Sequence, residues 1–77
     1  MCLAIPALIV ESSADRSAMV DMLGVRRKVA LDLTPQAVIG DYVLVHAGFA
    51  IQVVSAEEAE ETLKLIREFP ELAPYDG

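Results

Sequence analysis

Over the first two thirds of the chain, apolar positions fall in short runs, many of them alternating with polar ones, as in half-buried strands. Leu3 to Val10 is rich in Leu, Ile and Val and predicts a first strand, with Pro6 near its start, where proline is tolerated. Glu11 to Ser17 is a polar turn. Ala18 to Met22 predicts a second strand, with Val20 and Met22 on one face and Asp21 on the other. Leu23-Gly24 punctuates it, and Gly24 suits the positive φ of a hairpin turn. Val25 to Leu33 predicts a third strand, with Val29, Leu31 and Leu33 sharing one face and Lys28 and Asp32 pointing the other way.

Pro35 cannot donate to a ladder, so the third strand ends before it, and Gly40-Asp41 marks the next turn. Tyr42 to Ala47 is nearly continuous in its apolar character, which predicts burial on both sides or a barrel strand that changes face. Gly48 inside this run predicts a bulge, a bend or a close approach of backbone. Phe49 to Val54 continues as a fifth strand or as the far limb of a bent fourth. The period then changes. Ser55-Ala56-Glu57-Glu58 is a capping-box pattern, and acids crowd the first turns, where the helix dipole favours them. Ala59, Leu63 and Ile66 follow helical spacing, with Leu65 and Phe69 flanking, and Pro70 stops the helix. Together these predict a mainly β protein: a small closed or nearly closed barrel of about five strands over residues 2–54, then a C-terminal amphipathic helix over 56–69. Residues 70–77 are expected to form a loose tail.

Seventy-seven residues suffice for a single domain, and the 55% apolar content supports a packed core. One cysteine allows no disulfide within the chain, and one cysteine with one histidine cannot complete a four-ligand zinc site. A reduced, cytoplasmic protein is the expectation. Residues 1–10 lack the basic start and cleavage site of a targeting peptide, and the longest apolar stretch is too short to span a bilayer. The net charge of −6 is uneven, with seven acids against two bases in residues 55–77. Such a balance argues against nucleic acid, as does the total of four Phe and Tyr residues. Arg26-Arg27-Lys28 is a local exception, read as a solvated strand edge or as a small basic patch for an acidic protein partner.

Candidate chemistry gathers on Cys2 and His46. Loss of Met1 would leave a thiol and a free amine on one terminal residue, and a thiolate is both a nucleophile and a soft metal ligand. The bland alternative is an inert thiol at a chance Met-Cys start. His46 is either a structural histidine or a group that ligates iron or orients the thiolate. A Cys-His nucleophilic pair would need an orienting third group and an oxyanion hole, and no such motif is visible, so no catalytic residue is assigned. Asp41 and the helix glutamates read as a turn former and a solvated cap.

Two blocks sharpen this. Met1-Cys2-Leu3-Ala4-Ile5-Pro6 and Gly40-Asp41-Tyr42-Val43-Leu44-Val45-His46-Ala47-Gly48-Phe49-Ala50 resemble the signature blocks of the HypC family (HypC, HybG and HupF), small chaperones of nickel–iron hydrogenase maturation. The hairpin with Val20, Gly24, Arg27, Val29 and Leu31 is similar too, as is the helix opening at Ser55, so the likeness covers Met1 to about Phe69. The resemblance implies an OB-like barrel with a C-terminal helix and a non-catalytic role. It implies binding to the scaffold HypD, where an iron centre receives cyanide and carbon monoxide, with HypE in a larger complex and cyanide made by HypE and HypF. Delivery of that iron to the hydrogenase large-subunit precursor follows, with iron held transiently and no permanent cofactor. By the same resemblance Cys2 would be the transient iron ligand or contact, His46 a supporting ligand, and Cys2, Leu3, Ala4, Ile5, Pro6 and His46 the partner-binding residues. The alternative is a metal-free adaptor barrel that binds proteins. One departure is Leu8, where many relatives carry a basic or polar residue.

Overall fold

The structure, a computed structural model, describes residues 4–69. Strands β1 (Ile5–Ser12), β2 (Ser17–Met22), β3 (Val25–Ala30), β4 (Tyr42–His46) and β5 (Phe49–Val54) precede one helix, α1 (Ala56–Glu68). The strands close into a barrel in the order β1-β2-β3-β5-β4, so the expected five-strand barrel with a C-terminal helix is the architecture found.

β1 is the hub. Its first half pairs antiparallel with β4, from Ile5 opposite Val45 to Leu8 opposite Tyr42, and its second half pairs with β2, from Leu8 opposite Asp21 to Ser12 opposite Ala18. Pro6 is tolerated because β2 has not yet joined β1 at that level, leaving a side of the strand where no N–H is needed. Two irregularities bend the sheet, one in β1 between Ile9 and Glu11 and one where Leu44 and Val45 meet β5. Each inserts an extra residue on one strand, which increases local twist and helps a short sheet curl shut. The final seam is thin: β3 and β5 run parallel and share one pair, Ala30 opposite Phe49.

Inward-facing residues fill the interior. Ala7, Ile9, Ala18, Val20, Val29, Val43, Val45 and Ala50 are buried there together with Leu31 and Ala37. β4 resolves the ambiguity of its apolar run. Val43 and Val45 point into the core, Tyr42 and Leu44 are half-buried on the outer face, and His46 is exposed. The third strand is shorter than its pattern predicts. It ends at Ala30, after which the Leu31 N–H donates to the Arg16 carbonyl at 2.8 Å and the chain turns. Leu31 stays buried at 7%, but Leu33 is 62% exposed, so the expected common face of Val29, Leu31 and Leu33 breaks after Leu31. The buried Thr34 hydroxyl, aimed at the Ala50 carbonyl (3.4 Å), holds this connection against β5.

The helix forms as its caps dictate. The Ser55 hydroxyl accepts from the Glu58 N–H at 3.1 Å, satisfying one of the donors a helix start leaves open. Phe69 closes the other end, its N–H donating to the Leu65 carbonyl at 2.9 Å. Ala59, Leu63 and Ile66 are its buried residues, while Leu65 and Phe69 are exposed. Leu63 and Ile66 pack with Ile5, with Met22 and Tyr42 alongside. Tyr42 also donates its hydroxyl to Glu60 Oε2 at 3.2 Å.

Truncation should separate the two leucines after β3. Leu31→Ala is expected to cost about 2–5 kcal/mol in denaturant unfolding and Leu33→Ala within about 0.5 kcal/mol; equal losses would contradict the turn after Leu31. Tyr42 gives a second test. Partial burial, and then the bond to Glu60, raise its phenol above the ordinary value of 10.0. The resulting stabilisation is complete below the ordinary value and is lost as pH rises through the raised one. In a Tyr75→Phe background, tyrosinate absorbance should therefore rise later for the native Tyr42 than for a Glu60→Gln variant.

Candidate functional site

One end of the barrel collects the start of β1, the end of β4 and the start of β5. The sequence brings them together through two pairings. The β1–β4 ladder sets Ile5 opposite Val45, next to His46. The β4–β5 hairpin sets His46 opposite Phe49. Its turn is Ala47-Gly48, with φ of 54° and 84°. Positive φ at both central residues is the geometry of a two-residue turn whose twist matches its strands. Gly48 therefore marks a hairpin turn rather than a bulge or bend within a strand. It also joins the barrel seam, because its carbonyl accepts the Ala30 N–H at 2.9 Å.

The residues singled out in the sequence separate here. Cys2 and Leu3 lie outside the described residues. Ala4 is half-buried. Ile5 is buried at 4% and Pro6 is fully buried, so in the isolated chain these two present almost no surface and instead hold the segment in place. His46 is exposed and has interactions of its own. Across the hairpin from it, Phe49 is 43% exposed. A half-exposed aromatic ring opposite an imidazole on the outer face is the residue that sequence reasoning missed. The signal was present in the four-residue spacing His46-Ala47-Gly48-Phe49, which becomes informative only when Ala47-Gly48 is read as a turn.

Two other features of the sequence find plain structural roles. Asp41 shapes the turn before β4: its carboxylate accepts from the Val38 N–H, its own N–H donates to the Val38 carbonyl, and its carbonyl accepts from Ile9. Leu8 is half-buried, opposite Tyr42 and Asp21 and away from the His46 end. Among the described residues, no three His, Cys, Asp or Glu side chains converge as a metal-holding group. The described part of this end thus offers one strong nitrogen donor, His46, on an open surface. Such an arrangement suits an exchangeable contact rather than a closed cage. No helix of the described residues is long and apolar enough to cross a membrane.

Comparison with known proteins gives concordant matches. The pattern of the HupF/HypC family matches residues 1–66. The hydrogenase maturation factor HypC of Cupriavidus necator is 51% identical over 74 residues, covering 96% of this chain and 82% of that protein. HypC of Rhizobium leguminosarum bv. viciae is 46% identical over 68 residues, covering 88% of this chain and 91% of the relative. The hydrogenase maturation factor HybG of Escherichia coli is 32% identical over 74 residues, covering 88% and 90%.

The turn that pairs His46 with Phe49 can be tested directly. A Cβ on Gly48 would meet no atom within 4 Å, so a substitution there is penalised by backbone conformation alone. Gly48→Ala is expected to cost about 1–2 kcal/mol, the penalty of a left-handed residue with a Cβ. Gly48→Asn should lose less, because asparagine tolerates that conformation. Equal losses in thermal or denaturant unfolding would count against the turn geometry.

Proposed function

We propose an iron-carrier function for this chain, which belongs to the HupF/HypC family and is similar throughout to hydrogenase maturation factors. Its general role is that of a hydrogenase maturation chaperone. In the finer reading it binds HypD, takes part in assembling an iron centre that carries cyanide and carbon monoxide, and hands that centre to the precursor of the hydrogenase large subunit. HypE joins as part of a larger maturation complex. The chain itself catalyses no turnover.

What supports this reading is the register of β1 on β4. Ile5 is fixed opposite Val45, one residue from His46. Cys2 lies three residues before Ile5, a length of chain that reaches at most about 10–11 Å. The thiol is thus tethered close enough to meet the same ligand as His46. Low-spin ferrous iron with strong-field diatomic ligands accepts a soft thiolate, and an imidazole is a compatible second donor. A carrier works best with few such donors, because each one must be released at delivery. The iron is cargo in this scheme and leaves with the recipient. A reduced thiol of this kind persists in the cytoplasm, where we place the protein.

The test is anaerobic co-purification with HypD followed by infrared and iron analysis. Cyanide and carbon monoxide bands on bound iron are expected, and a metal-free complex would make the chain an adaptor barrel instead. Cys2→Ala should abolish hydrogenase maturation while leaving the thermal unfolding midpoint unchanged, and His46→Ala should lower the iron content of the complex. Full maturation by the Cys2→Ala variant would overturn the carrier reading.

A further inference from the structure

The outer edge of β3 is unlike the rest of this barrel. β3 meets β5 through the single pair Ala30–Phe49, and the Ala30 N–H donates across that seam to the Gly48 carbonyl. Backbone orientation alternates along a strand. The Arg26 and Lys28 backbones therefore face the same way as that of Ala30, away from β2. β5 begins only at Phe49, level with Ala30, so among the described residues no strand runs beside Arg26 and Lys28 on that side. Val25, at the start of this edge, is 52% exposed.

The side chains on this edge set its polarity. Three of the six basic residues in an acidic chain are Arg26, Arg27 and Lys28. Arg26 pairs with Glu11 at 3.7 Å and Lys28 with Asp15 at 3.4 Å. Both pairs reach over β2 toward β1 and its turn, and all four side chains are 61–68% exposed. Exposed pairs of this kind contribute little and exchange readily for other carboxylates.

We propose that the edge of β3 from Val25 to Val29 is a strand-addition site for an extended acidic segment of a partner protein. Main-chain bonds to the Arg26 and Lys28 amides and carbonyls supply the affinity. Acids at alternate positions of the added strand face Arg26 and Lys28 and select it, as in other edge-strand recognition. This inference is independent of the iron-carrier reading, because it uses neither Cys2 nor His46.

The test uses the full chain and a short synthetic peptide alternating Glu and Val, with a Lys-Val peptide as control. Residue-resolved amide hydrogen exchange is expected to slow at Arg26 and Lys28 with the Glu-Val peptide and to stay unchanged with the Lys-Val peptide. A double charge reversal, Arg26→Glu with Lys28→Glu, should weaken Glu-Val binding about tenfold or more. Its thermal midpoint should stay close to the parent's, because the ion pairs it removes are exposed. Equal effects of the two peptides, or no protection at these amides, overturn the proposal. Protection already present without peptide overturns it too: if independent of concentration the chain covers its own edge, and if concentration-dependent a second copy does.

Discussion

Ile5 is held from two directions, and the geometry of the whole candidate end depends on it. Its backbone pairs with Val45 across the β1–β4 ladder. Its side chain packs with Leu63 and Ile66 of the helix. The first contact joins distant parts of the sequence and must overcome the entropy of closing the long loop between them. The second uses the helix to bury an isoleucine that would otherwise sit at the barrel mouth. Each supports the other, since a shifted β1 would slide Ile5 out of the helix contact as well as out of register. The start of β1 is therefore a fixed point of the barrel.

That point has chemical consequences. Under the proposed iron-carrier function, a ligand has to be presented without being enclosed. The barrel keeps His46 at the end of β4, and the hairpin keeps Phe49 across from it. The helix, meanwhile, carries much of the acidic charge on its solvent face while its buried stripe serves the fold. The exposed His46 and much of the acidic charge thus reside on different elements. The basic edge of β3 lies apart from both, on a strand that among the described residues meets β5 through one pair.

Some of this was legible along the chain. Apolar richness indicates β1, alternation indicates β2 and the body of β3, and the Ser55–Glu58 cap locates the start of the helix, whereas β5 stays ambiguous with a bent fourth strand. Gly24 announced its hairpin, and its φ is 88°. These features are local, because capping, turn conformation and side-chain alternation are decided within a few residues. Gly48 was harder, because an apolar run on both sides hid the turn that it makes with Ala47. Leu33 misleads for the opposite reason: its spacing matches the buried face of β3, but the chain turns after Leu31, whose carbonyl accepts the Thr34 N–H at 3.0 Å. A turn closed within four residues overrides the alternation.

By itself, the sequence determined a mainly β domain with a capped amphipathic helix, and its two signature blocks indicated a hydrogenase maturation chaperone. Local periodicity and local motifs suffice for both. The order in which the strands close was decided only in three dimensions, as were the single-pair seam between β3 and β5, the burial of Ile5 and Pro6, and the meeting of Phe49 with His46. Strand pairing is a contest among many possible partners, settled by bulges, twist and shared burial across the whole core. No stretch of chain carries that information alone.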